Sequence, residues 1–273
     1  MTAVWTFIRE VASQNWSSLE RWSGDCQGAQ IEVERGGAWQ SSQALGPEDA
    51  GWLDRLLDVA TWPGPLVLGQ LGQTLDGRIA TVSGDSFYIN GLEARTHLHA
   101  LRALVDAVVI GVGTAEADQP QLTVRHLDGP DPVRVIIDPN DRLSRTGPLL
   151  DPDTAAAVIQ IVASDTALKP LPESVERLIL DRVDGGFAPR AIVQALAQRG
   201  LTRLLIEGGA HTVSRFLAAG ALHRLHLLIA PMLLGSGQAG LGLPAIERLA
   251  EARRLPMRSF PLADELLVSL ALD

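Results

Sequence analysis

The sequence predicts an α/β fold, with a mixed, mostly parallel central sheet flanked by helices and a small N-terminal appendage. Three observations predict it. From Leu66 onward, short apolar runs alternate with helix-period segments, the pattern of sheets built from strand–helix–strand units. Hydrophobic residues make up 46% of the 273, enough to cover both faces of such a sheet. All six tryptophans (Trp5, Trp16, Trp22, Trp39, Trp52 and Trp62) lie in the first 62 residues, and the breaker WPGP at Trp62–Pro65 sets that stretch apart.

In the first segment, PEDAGWLDRLLDVA (47–60) has acids in its first turn and Trp52, Leu53, Leu56 and Leu57 at helical spacing. Gln30–Glu34 reads as a strand. About 60 residues bury little surface alone, so residues 1–62 are expected to pack on the main domain, which begins at 65. Apolar strand-like runs then fall at 66–71, 105–112, 133–138, 157–163, 177–180, 203–206, 225–234 and 266–271. Helical patterns fall at 91–104, 189–199, 210–219 and 244–254. Asn90 and Glu93 have the spacing of a capping box, and Gly220 stands where a helix commonly ends.

Composition excludes several classes. The net charge of −9 argues against a nucleic-acid footprint. The single cysteine, Cys26, rules out an internal disulfide and any multi-cysteine metal centre, and no histidine–carboxylate metal spacing occurs. Lys169 is the only lysine and sits in ALKPLP, unsuited to a P-loop or a Schiff base. Arg9 and Glu10 break any leader-like apolar stretch, and no run approaches the ~20 residues of a membrane span, so a cytoplasmic protein is expected.

Five stretches carry candidate chemistry. Asp76-Gly77 in LGQTLDGRIA signals a tight turn. GVGT (Gly111–Thr114) follows a strand, and its glycines permit close backbone approach to an anion. Behind it, Asp118, Thr123 and Arg125 cluster at a strand's carboxyl end, where open α/β sheets bind ligands, and Arg125 can fork a phosphate. EGGA (Glu207–Ala210) exposes amides at a helix start, with Glu207 better placed to accept hydrogen bonds from another part of a ligand. Gly235–Gly240 spells GxGxxG without a following helix and reads as a flexible loop. Each has an ordinary turn or loop as its alternative, and each histidine reads as a surface residue. Arg95, His99 and Arg102 share a helix face that is either solvated or a phosphate anchor.

Taken in order, LGQTLDGRIATVSGDS (71–86), the LR at 101–102, GVGTAEADQPQLTVR (111–125), PVRVIID (132–138), LLIEGGAHTVSRFLAAG (204–220) and IAPMLLG (229–235) resemble the pyrimidine reductase family of riboflavin biosynthesis. The resemblance implies a dihydrofolate reductase-like fold, a homodimer, and NADPH-dependent reduction of a ribosylamino group to ribitylamino on a 5′-phosphoribosylamino-pyrimidine. It implies that Gly72, Tyr88, Gly111, Gly113, Thr114, Asp118 and the turn Gly208, Gly209, Ala210, His211, Thr212, Val213, Ser214, Arg215 line the coenzyme. Ser86, Arg102, Leu122, Arg125 and Glu207 would line the substrate, with Glu207, Asp118 and Gln70 at the catalytic centre. The chain departs from the family at three places: Gln70 replaces a common lysine, Pro139 a Ser or Thr, and Tyr88 a Trp. A reductase of another pteridine- or flavin-like substrate, and a non-catalytic NADP-binding relative, are the alternatives. The cysteine-rich zinc site of the associated deaminase has no counterpart in this sequence.

Overall fold

The computed structural model describes residues 3–86, 89–150 and 156–272. It divides into two compact units, Met1–Leu66 and Val67–Asp273. The first holds helix α1 (Ala3–Ala12), strands β1 (Arg21–Cys26), β2 (Ala29–Glu34) and β3 (Trp39–Ser41), and helix α2 (Pro47–Ala60). Its strands form an antiparallel sheet in the order β1-β2-β3. Helix α1 buries Val4, Trp5, Phe7, Ile8 and Val11, a single stripe at helical spacing. Trp5 meets Trp52 of α2 with ring centroids 6.1 Å apart. Helix α1 and strands β1 and β3 were not anticipated, although the α1 stripe is readable in WTFIREV.

The second unit runs β4 (Leu66–Thr74), β5 (Arg78–Ala80), α3 (Leu92–Ala103), β6 (Ala107–Gly111), α4 (Val112–Asp118), β7 (Val133–Ile137), β8 (Val158–Ala163), β9 (Val175–Leu180), α5 (Pro189–Ala197), β10 (Arg203–Ile206), α6 (Ala210–Ala218), β11 (Arg224–Ala230), β12 (Gln238–Ala239), β13 (Met257–Leu262) and β14 (Glu265–Ala271). Nine strands form one sheet in the order β13-β14-β11-β4-β10-β6-β7-β8-β9. From β10 to β9 neighbours run parallel, as do β4 and β11, while β13 and β14 close one edge antiparallel. The α/β class with a mixed, mostly parallel sheet therefore holds. Val109, Val135, Ile161 and Ile206 of the sheet pack with Leu196, Val213 and Phe216 of α5 and α6 in the main core. The Asp106 carboxylate accepts the Thr202 and Arg203 amides at 2.7 and 2.8 Å, joining the starts of β6 and β10. The Asp76-Gly77 turn is present, with Gly77 at φ 74°. The Asp76 carboxylate, held low by the Thr74 hydroxyl, accepts the Leu234 and Gly235 amides and pins the segment after β11.

Four expectations fail. Residues 244–254 form no helix, only a single 3₁₀ turn at Leu249–Glu251. Leu243, Ile246 and Leu249 lie exposed there, and a short amphipathic helix without a packing partner is marginal. The 225–234 run stops as a strand at Ala230, before Pro231. The Asn90/Glu93 capping box is absent: Gly91 is the N-cap of α3, with no side-chain cap. His97, His99 and His226 are buried rather than on the surface. The GxGxxG stretch is also more ordered than a flexible loop, since Gln238 and Ala239 pair with β5.

Candidate active site

A cleft of about 1000 Å³ opens along the carboxyl ends of β4, β10, β6 and β7. Such ends are where parallel sheets take ligands, because the strand-to-helix turns there leave backbone amides unpaired. Gln70 and Gly72 of β4 line it, as does Ser86 beyond β5. Gly111, Gly113, Thr114 and Asp118 line it from the β6–α4 turn and α4, and Leu122 from the segment behind. Glu207 with Gly208, Gly209, Ala210, His211, Thr212 and Arg215 lines it from the β10–α6 turn and α6. Arg102 reaches it from α3. Three expected residues do not line it. Val213 and Ser214 are buried, Val213 in the core and Ser214 accepting the Gly242 amide at 2.9 Å. The Arg125 guanidinium turns to Gln121 outside the wall. Tyr88 lies outside the described residues.

The two glycine turns are built against each other. The Thr114 hydroxyl accepts the Gly209 amide at 2.9 Å. A methyl on Gly208, at φ 94°, would lie 3.0 Å from the same threonine. One of the amides expected to be open is thus engaged within the protein, leaving those of Ala210 and His211 at the start of α6.

Arg102 and Glu207 form a two-pronged ion pair. Arg102 Nε and Nη2 donate to the two carboxylate oxygens at 2.8 and 2.7 Å, and Nη1 donates to the Thr123 carbonyl at 3.1 Å. Both side chains are more than nine-tenths buried, a setting in which an Arg–carboxylate fork is strong and directional. Glu207 keeps lone pairs toward the cleft but is not a free carboxylate. At the end of α4, burial raises the Asp118 carboxyl above its usual range. Gln119 and Leu122 stand at φ 42° and 59°, so strained backbone carries the 118–122 turn into the cleft.

Behind the cleft wall, His99 Nδ1 accepts the Arg125 amide at 3.1 Å, and His99 stacks on His126. Burial, then the charges of Arg102, His126 and Arg125, push His99 down to about 3. On strands β4 and β11, Gln70 and His226 are register partners. His226 Nδ1 meets His97 Nε2 at 3.2 Å, and burial, then Arg224, pushes His226 down to about 3. Position 70 therefore neighbours a buried imidazole pair. Sequence reasoning also missed Asn90, Asn140, Arg142 and Phe187, all on the cleft wall. Asn90 read only as a helix cap, and the other three carried no signal by spacing.

The fold and this cleft define an α/β protein with a mixed, mostly parallel sheet and a cleft over glycine-led helix starts. The chain belongs to the RibD C-terminal domain family, whose model matches residues 65–255. It is 34% identical over 220 residues to the 2,5-diamino-6-ribosylamino-4(3H)-pyrimidinone 5′-phosphate reductase of Methanothermobacter thermautotrophicus, covering 75% of this chain and 96% of that protein. It is 33% identical over 194 residues to the riboflavin biosynthesis protein RibD of Aquifex aeolicus, covering 70% of this chain. The chain spans about half the length of that RibD, 53%. Among solved structures, a deaminase/5-amino-6-(5-phosphoribosylamino)uracil reductase of Thermotoga maritima superposes with a TM-score of 0.66 at 28% identity, covering 82% of this chain and 61% of that one.

Proposed function

We propose that this chain is an NADPH-dependent reductase that converts the ribosylamino group of a 5′-phosphoribosylamino-pyrimidine to ribitylamino in riboflavin biosynthesis. The observation that carries the reading is the match to the archaeal reductase over nearly its whole length, a protein named for reduction alone. The residues present fit a dinucleotide. The cleft crosses four neighbouring strands, roughly 14 Å at the usual spacing. Gly72, Gly111 and Gly208 let Asn90, Thr212 and Thr114 pack close against the strand ends, and Ile79, Ile110 and Phe187 supply apolar wall. NADPH, when bound, supplies hydride to the sugar C1′.

In this reading the first-turn amides of α6 take the coenzyme's anionic centre, and Gly72, with the Asn90 amide seated over it, forms the floor on which a flat ring would rest. Glu207, held by Arg102, accepts hydrogen bonds from the substrate and fixes its orientation. Asp118, its carboxyl raised by partial desolvation, stands at the coenzyme side. The chain's main contribution is placement of two reactants and exclusion of water. Pro139 offers neither the hydroxyl nor the amide of the Ser or Thr common there, so coenzyme contacts at the end of β7 fall to its neighbours.

Titration with NADPH followed by turnover of the phosphorylated pyrimidine tests this. One NADPH oxidised per pyrimidine reduced, and rescue of a reductase-deficient riboflavin auxotroph, are expected. No saturable coenzyme binding at millimolar concentration refutes it. Equal rates on phosphorylated and dephosphorylated substrate would favour a different heterocycle. A cytoplasmic homodimer accompanies the reading. Met232 and Leu233, 40% and 72% exposed beyond β11, suit a covered surface. Light scattering near 29 kDa at micromolar concentration would count against the dimer.

A further inference from the structure

We infer that Asn90 presents a fixed hydrogen-bond acceptor at the reaction centre, oriented by Glu265, to an N–H of the bound reactants. The inference rests on the proposed reductase reading and adds a residue pair to it. Asn90 Nδ2 lies 3.2 Å from Glu265 Oε1 and 3.3 Å from the Leu228 carbonyl. Both partners can only accept, so the amide nitrogen must face them and Oδ1 must face the other way. That way lies Gly72: a methyl added to it would sit 2.0 Å from Asn90 Oδ1. Asn90 and Gly72 both line the cleft, and no donor among the described residues reaches Oδ1.

Glu265 is suited to orienting the amide. It is 7% exposed, starts β14, and its Oε1 also accepts the Gly91 amide at 3.0 Å. Its second oxygen is buried without a partner. Helix capping does not explain Asn90, because α3 takes Gly91 as its N-cap and receives no side-chain bond. What remains is an acceptor held beside the strand against which the reacting ring would lie. The matching donor chemistry is an amide or amino N–H, found on the nicotinamide carboxamide and on the aminopyrimidine.

The test compares wild type with Asn90→Ala, Glu265→Leu and Glu265→Gln, using NADPH Kd by fluorescence titration and the pyrimidine KM and kcat by steady-state turnover. Asn90→Ala should weaken one of the two affinities about tenfold, the worth of one hydrogen bond of ~1.4 kcal/mol. A raised NADPH Kd identifies the carboxamide as donor; a raised pyrimidine KM identifies the amine. Glu265→Leu should shift the same constant, and Glu265→Gln, which keeps an acceptor, should restore it, a rescue that a merely structural role would not show. Melting curves report whether each variant is folded. A folded Asn90→Ala protein with both affinities within twofold of wild type overturns the inference while leaving the reductase reading standing. A wild-type chain that binds neither ligand overturns both.

Discussion

Removing one partner of the Arg102–Glu207 pair should cost far more than removing both. The two side chains are 8% and 6% exposed, and three donors of Arg102 are committed. Arg102→Met leaves the Glu207 carboxylate buried without its cation and strips the Thr123 carbonyl of its donor. Breaking such a pair from one side costs about 3–5 kcal/mol, because an uncompensated charge stays behind. The double variant Arg102→Met/Glu207→Leu removes the charge along with its partner and should fall within about 1–2 kcal/mol of wild type. Turnover should be lost in both variants, since Arg102→Met frees Glu207 from its fixed position and the double variant removes the acceptor as well. The probe matters. Every tryptophan lies in the first 62 residues, so tryptophan fluorescence reports on the first unit and not on this pair. Urea unfolding followed by far-ultraviolet circular dichroism, at constant m, is the suitable measurement. A single variant costing less than about 1 kcal/mol, or a double variant as unstable as Arg102→Met, would refute the reasoning.

Gln70→Lys should raise kcat on the phosphoribosylamino-pyrimidine at least tenfold with coenzyme Kd nearly unchanged, because a preorganised charge in a dry site is worth about 3 kcal/mol; a flat kcat would show that glutamine is matched to another acceptor. Gly72→Ala should destabilise the protein by about 1–3 kcal/mol through overlap with the fixed Asn90 amide, and Gly72→Ala/Asn90→Ala should recover most of it in thermal melts. Acid should weaken the fold through His226: its folded value of about 3 lies below the usual 6.5, so the unfolded chain binds the extra proton and stability falls as pH drops from 6.5 toward 3. That amounts to about 2 kcal/mol from this residue at pH 5, and urea midpoints of His226→Leu should lose that part of the pH slope.

The parallel half of the sheet was legible because its signals are local. Buried parallel strands read as continuous Val/Ile/Leu runs, and those at 105–112, 133–138, 157–163 and 203–206 hold β6, β7, β8 and β10. Of the antiparallel edge, β14 was legible in the run at 266–271 and β13 was not. In Met257–Leu262 exposed positions dominate, so there was no buried stripe to betray a strand; only pairing with β14 makes it one. The failed helix at 244–254 is the converse case, a periodic pattern for which the fold supplies no partner. Periodicity reports what a segment can bury, and whether it does so is decided elsewhere in the chain.

The cleft shows the same division. Its glycine turns were visible because the residues that build each turn are contiguous, as in GVGT and EGGA. The partnerships across it were not visible, because they join distant positions: Arg102 to Glu207 across 105 residues, His97 to His226 across 129, and Asn90 to Glu265 across 175. Charge patterning placed Arg102 on a solvated or phosphate-binding face, and the structure instead gives it a buried carboxylate. That changes what the site can do with its cations. Arg102 is electrically matched before any ligand arrives, so under the proposed function attraction of a phosphorylated substrate would fall to Arg95 on the cleft wall and to Arg125 and His126 behind it. Burial, then the charges of Arg95, Arg125 and Arg102, hold the His126 imidazole below its usual range. A dianion placed among them would reverse that effect. The ion pair then serves position, the outer cations serve affinity, and the two roles that sequence patterning merged in one helix face separate into different layers of the fold.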